Sequence, residues 1–179
     1  MQSEENQKAE EQAPQVELDE MKYQRFLAEL QDNQNLHMGI LGGIIGAVIG
    51  AAAWAVVTVL TGYQIGWMAV GVGFLSGYGV RLLGKGISKP FRIAGAILSL
   101  LGCMAGNLLS VCALVSKHED IPFFDILVRL NPEIVVDIFR TTFSPMDLLF
   151  YAIAVYEGYR FSFRKITEDE LAGLVKAKS

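Results

Sequence analysis

Three apolar runs dominate the first two thirds of this chain. Gly39–Thr61 has no charged residue in 23 positions, Gly62–Val80 none in 19, and Ile93–Ser116 none in 24. An α-helix rises about 1.5 Å per residue, so crossing the ~30 Å hydrocarbon core of a bilayer takes about 20 apolar residues. All three runs reach that length, and the chain reads as an integral membrane protein. Its composition agrees: of 179 residues 52% are hydrophobic and 19% charged, against about 25% charged in soluble domains. The net charge of −4 hides a block pattern, because residues 1–20 are acidic while the basic residues flank the apolar runs. Met1 is followed by that polar tail, so no cleavable signal peptide is expected and the first span serves as its own insertion signal.

The expected fold is all-α: a bundle of four transmembrane helices with a glycine-rich interface and short interfacial helices. Residues 1–16, rich in Glu and Gln, read as a disordered acidic tail. Over 17–37, Leu18, Met21, Phe26, Leu27 and Leu30 recur at helical spacing among charges. This predicts a cytosolic amphipathic helix that lies on the membrane or the bundle, or docks a partner. The membrane domain is 38–163, with spans at about 39–60, 67–83, 93–116 and 145–163. Trp54, Tyr63 and Trp67 are expected in an aromatic belt at one interface. Segment 117–144 mixes prolines, phenylalanines and regularly spaced charges, and reads as two short helices lying in the interface. The second opens on Asn131-Pro132-Glu133, a cap, a first helical residue and a first-turn acid, followed by the apolar stripe Ile134, Val135, Ile138 and Phe139. The fourth span is the weakest, since only Leu148–Tyr156 is free of charge. Residues 164–179 form a cytosolic tail in which Thr167 and Glu170 have capping-box spacing.

Four spans with a cytoplasmic N-terminus put 12 of the 15 Lys and Arg inside and leave Lys117, Arg129 and Arg140 outside. That asymmetry is the positive-inside bias, and it sets both termini in the cytoplasm; three spans would export the basic C-terminus.

Sixteen of the 18 glycines lie between Gly39 and Gly106. Gly42, Gly46 and Gly50 share one face of the first span, Gly73 and Gly77 one face of the second, and Gly95, Gly102 and Gly106 recur along the third. Small residues four apart let helix backbones approach in lipid, where no hydrophobic force drives helices together. These faces are expected to pack the bundle, and one left over would pair with a second copy. No internal repeat extends beyond the glycines.

Several motifs tempt and fail. Gly79 to Gly84-Lys85 has the spacing of a phosphate-binding loop, but Gly86 follows where Ser or Thr is needed and no strand precedes. Gly71-Val72-Gly73 with Ser76 imitates a dinucleotide fingerprint inside an apolar span. Ser76 would need a histidine base, yet His37 and His118 flank opposite ends of the spans. His118-Glu119-Asp120 are consecutive and cannot converge on one metal ion unaided. Cys103 and Cys112 are nine apart, on opposite sides of a helix, and read as packing residues. No catalytic residue, metal or cofactor is assigned, and nothing points to nucleic acid.

Polar residues within the spans remain. Asn107 is an amide in an apolar helix and should bond across to a neighbour. Arg81 and Glu157 have opposite charges at similar expected depth and are expected to pair. Arg81, Lys85, Lys89 and Arg92 form a basic cluster, in which Lys85, Lys89 and Arg92 suit anionic lipid headgroups. The run Thr61–Gly86 with Gly102-Cys103-Met104-Ala105-Gly106-Asn107 resembles a family of small, uncharacterised bacterial inner-membrane proteins. That resemblance implies a bacterial cytoplasmic membrane and carries no activity with it. The expected role is non-enzymatic: a structural or partner subunit contacting membrane lipids, a second copy or another protein. The alternative is a small oligomeric transporter or channel using Asn107 and the Arg81–Glu157 pair.

Overall fold

The structure, a computed structural model, describes residues 20–167 together with Glu170 and Gly173. The acidic tail 1–16, the first residues of the expected amphipathic helix and most of the 164–179 tail lie outside the described residues. Two compact units are present, residues 1–30 with 165–179 and residues 31–164. The described residues are all-α, with seven helices: α1 Glu20–Asp32, α2 Leu36–Thr61, α3 Met68–Gly84, α4 Lys89–Glu119, α5 Phe123–Arg129, α6 Pro132–Thr142 and α7 Pro145–Phe161.

In the smaller unit, the part of α1 it contains buries Leu30 and exposes Met21. The Thr167 backbone N–H and hydroxyl both donate to Glu170 Oε2, at 2.9 and 2.8 Å. This is the Glu half of a capping box. The helix expected over 17–37 stops at Asp32 because Asn35 starts the next one. Its backbone is extended and its side chain accepts from the Met38 N–H at 3.0 Å.

The larger unit owes its helix ends to local chemistry. α2 stops at Gly62, whose φ of 73° turns the chain left-handed while its N–H bonds to the Thr58 carbonyl at 2.8 Å. α4 starts four residues before the expected 93, with Ser88 extended ahead of it and Pro90 in the first turn, where a missing N–H costs nothing. Asn131 caps α6 by accepting from the Ile134 N–H at 2.8 Å. Ser144 and Asp147 form a reciprocal capping box on α7. α6 and α7 meet at a bend of 106°.

In this unit α3 and α4 lie at the centre; α2 packs on both and α7 packs on both, while α5 and α6 lean on α4. Close contacts fix the registers. A Cβ at Gly42 would strike the Gly79 carbonyl, one at Gly46 the Leu75 carbonyl, and one at Gly50 would sit 3.0 Å from Val72 Cα. Hence α2 and α3 are antiparallel. Gly73 faces Ala154 and Gly77 faces Gly158, so α3 and α7 are parallel. Gly102 faces Ala47 and Gly106 faces Ala51, so α2 and α4 are parallel too. The four helices therefore alternate up and down in chain order.

By length and composition α2 and α4 can each cross a membrane, with mean hydropathies of 2.3 and 2.0; α6 and α7 make a third candidate if the bent pair is one span. α3 is apolar but has only 17 residues. Two or three such helices mark a membrane protein. Tyr63 and Trp67 are exposed as a belt requires, but Trp54 is 1% exposed. Its ring packs on Gly106, which leaves room for it, so Trp54 belongs to the core and not to an aromatic belt.

Candidate functional site: polar groups inside the bundle

Lipid offers no partner to a hydroxyl or amide, so each polar side chain in a span must find one in the protein. Inside the bundle the buried hydroxyls and the Asn107 amide do so level by level. Near the middle of the bundle the Ser76 hydroxyl donates to the Gly43 carbonyl at 3.2 Å, tying α3 to α2. The Ser99 hydroxyl donates to Gly95 O one turn back at 2.7 Å and reaches Gly73 O at 3.4 Å. The fully buried Ser162 hydroxyl bonds back to Gly158 O at 2.5 Å.

Toward the other end the polar groups gather. Asn107, 2% exposed on α4, accepts from Gln64 Nε2 of the α2–α3 turn at 3.5 Å. The Tyr151 hydroxyl of α7 donates to Cys103 O at 3.4 Å, one turn along α4 from Asn107. The Thr58 hydroxyl donates to Ser110 Oγ at 3.3 Å between α2 and α4, both fully buried. Lys117 Nζ closes this end by donating to Val59 O at 2.8 Å. Within this cluster the buried Trp54 Nε1 finds no hydrogen-bond partner among the described residues. Asn107 was legible from its isolation among apolar residues. Tyr151, Gln64 and the Thr58–Ser110 pair were not, because each is an unremarkable residue for a span end until the register brings it opposite its partner.

The basic end is built differently. Asn35 N–H donates to Gly84 O at 3.1 Å, and Gln34 Oε1 accepts from Ser88 Oγ at 2.6 Å and Ile87 N at 3.2 Å. Phe91, 3% exposed, plugs the space between Gly39, Gly84 and Gly86. Lys85, in the left-handed region at the end of α3, and Lys89 at the start of α4 are exposed. Arg92 is half-buried and engaged: its guanidinium lies 4.0 Å above the Phe163 ring and 5.4 Å from that of Tyr159.

Arg81 and Glu157 are both half-buried, and among the described residues they form no ion pair. The register explains the separation. Gly77 lies level with Gly158 on parallel helices, so Arg81 stands about five residues, roughly 7 Å, beyond the level of Glu157. Arg81→Leu and Glu157→Leu are therefore expected to act independently. Thermal unfolding of the two single variants and the double variant should give a coupling below about 0.5 kcal/mol; coupling above 1 kcal/mol would mean that the two charges meet.

Among the described residues these polar groups join one helix to another. The Ser76 hydroxyl is committed to a carbonyl, and His37 and His118 are exposed at the ends of α2 and α4. Among the described residues no three His, Cys, Asp or Glu converge on a point where a metal ion could sit. Comparison of the chain with protein-family models, with curated proteins and with solved structures found no match.

Proposed function

We propose that this chain is a four-span protein of a bacterial cytoplasmic membrane, with both termini in the cytoplasm, acting as a non-enzymatic structural or partner subunit. One observation carries the reading: the helices meet backbone to backbone. At Gly42–Gly79, Gly73–Ala154, Gly77–Gly158 and Gly95–Gly158 a single added carbon would overlap or crowd the facing peptide. Peptide groups at that spacing fill the interior, where a transporter needs a path lined by polar groups. Such packing in lipid comes from small residues four apart. The alternative, an oligomeric transporter or channel, rests on Asn107, whose amide is joined to Gln64.

The alternation of α2, α3, α4 and α7 supports the topology. It gathers Arg81, Lys85, Lys89, Arg92, Arg160 and Arg164 at one end of the larger unit, and Lys117 at the other. In a variant lacking Cys103 and Cys112, single cysteines at Lys89 and Lys165 should resist an impermeant thiol reagent in intact cells, while one at Glu119 should react. External labelling at position 165 would defeat the four-span arrangement. The role itself is tested in reconstituted vesicles. Ion flux no greater than that of empty vesicles, together with a defined complex or homo-oligomer by native mass spectrometry, is expected. A purified protein that conducts ions would overturn it.

A further inference from the structure

α6 separates its two faces. Its acidic residues Glu133 and Asp137, with Arg140, border a concavity on one side. Its stripe residues Ile134 and Ile138 form the wall of a different recess, of about 330 Å³. Val111 and Val115 of α4 and Ile126 of α5 complete much of that wall, and the one charged residue lining it is Arg129 at the end of α5. Among the described residues Arg129 makes no ion pair; the pair formed nearby is Arg140–Asp137, at 3.9 Å.

We propose that this recess holds an acyl chain of an anionic amphiphile whose headgroup lies on Arg129. The wall is aliphatic on three helices, so whatever enters must need no hydrogen bond there. The volume falls in the range of small-ligand sites, about 300–1,000 Å³. The charge at its border selects the sign of the head: a guanidinium binds carboxylate or phosphate through two parallel N–H donors, and a zwitterionic head brings its own cation against it. The recess lies beside the last turns of α4, where a membrane helix passes from acyl chains to headgroups. The 106° bend turns α6 away from the direction of α7, and α6 leans on α4 at that depth. This inference rests on α4 crossing a membrane and is independent of the scaffold role. The shared chemistry is one chain with an anionic head, supplied either by a bilayer phospholipid or by a free fatty acid.

The test places the full chain in nanodiscs of zwitterionic lipid. Three photoreactive probes of equal chain length are added: a diazirine fatty acid, a diazirine phosphatidylglycerol and a diazirine phosphatidylcholine. Cross-linked residues are mapped by mass spectrometry. Either anionic probe should label Val111–Val115 and Ile134–Ile138 above the phosphatidylcholine probe, and the stronger of the two names the source. Arg129→Gln should lower that labelling about fivefold, the factor set by one headgroup attraction of about 1 kcal/mol. Ile138→Trp, which fills the recess, should abolish it; Ile134→Trp repeats the test if the first variant melts early. Equal labelling by the phosphatidylcholine probe, or labelling unchanged in Arg129→Gln, overturns the proposal. So does labelling no stronger than at Ile49 and Ile97, which face outward elsewhere on the bundle.

Discussion

Gly42→Leu is expected to cost about 3 kcal/mol of stability, the upper end of overpacking penalties, while Gly71→Leu on the neighbouring helix leaves stability within about 0.5 kcal/mol. The contrast separates packing from composition. Both are helical glycines in apolar surroundings, and both gain helix propensity on substitution. A Cβ at Gly42 meets the Gly79 carbonyl, and Gly79 reciprocally meets that of Gly42, so neither helix can yield without breaking the other's contact. At Gly71 a Cβ meets nothing within 4 Å. Unfolding by heat or by titrated denaturing detergent measures both. Two variants that melt together would show that α2 and α3 do not touch along this face.

The second large effect belongs to Trp54. Trp54→Ala should cost about 3 kcal/mol, the lower end of the range for buried aromatic residues. The lower end applies because lipid, unlike water, does not penalise the exposed side chain in the unfolded state, and only lost packing counts. Trp54→Phe should cost under about 1.5 kcal/mol, because it discards an indole N–H that has no hydrogen-bond partner among the described residues and whose removal relieves a desolvation penalty. The same unfolding measurement decides. A Phe variant as damaged as the Ala variant would mean that the N–H is bonded after all, to water or to another chain.

The start of α6 was legible because Asn131 announced it, and the expected start of the fourth span at 145 matches that of α7. Asn131 and Ser144 each sit before a proline and a first-turn acid, and each caps as that chemistry requires. The end of the first cytosolic helix was not legible: the expectation carried it to 37, past Asn35, whose side chain caps α2 by accepting from the Met38 N–H. Glycine spacing identified faces, but not which face meets which helix; that needs the register, and register is a property of pairs. The same ignorance explains the Arg81–Glu157 expectation. Counting residues from the span ends placed the charges at one depth, whereas the parallel alignment of Gly73–Ala154 and Gly77–Gly158 sets them apart. Trp54 was judged by residue type, and the space beside Gly106 decided otherwise.

The helices of the larger unit differ in length, and in the four-span arrangement proposed above the surrounding lipid must respond. α3 and α7 have 17 residues each, about 26 Å of helix, while α2 has 26, about 39 Å. A bilayer core of ~30 Å is too thick for the first pair and too thin for the second helix. Since α2 and α7 occupy opposite flanks of the α3–α4 pair, the mismatch is lateral: acyl chains are drawn short on one flank and stretched or met by a tilted helix on the other. The protein thus carries a gradient of membrane thickness across its own width, and neighbours that share that gradient would be favoured on each side.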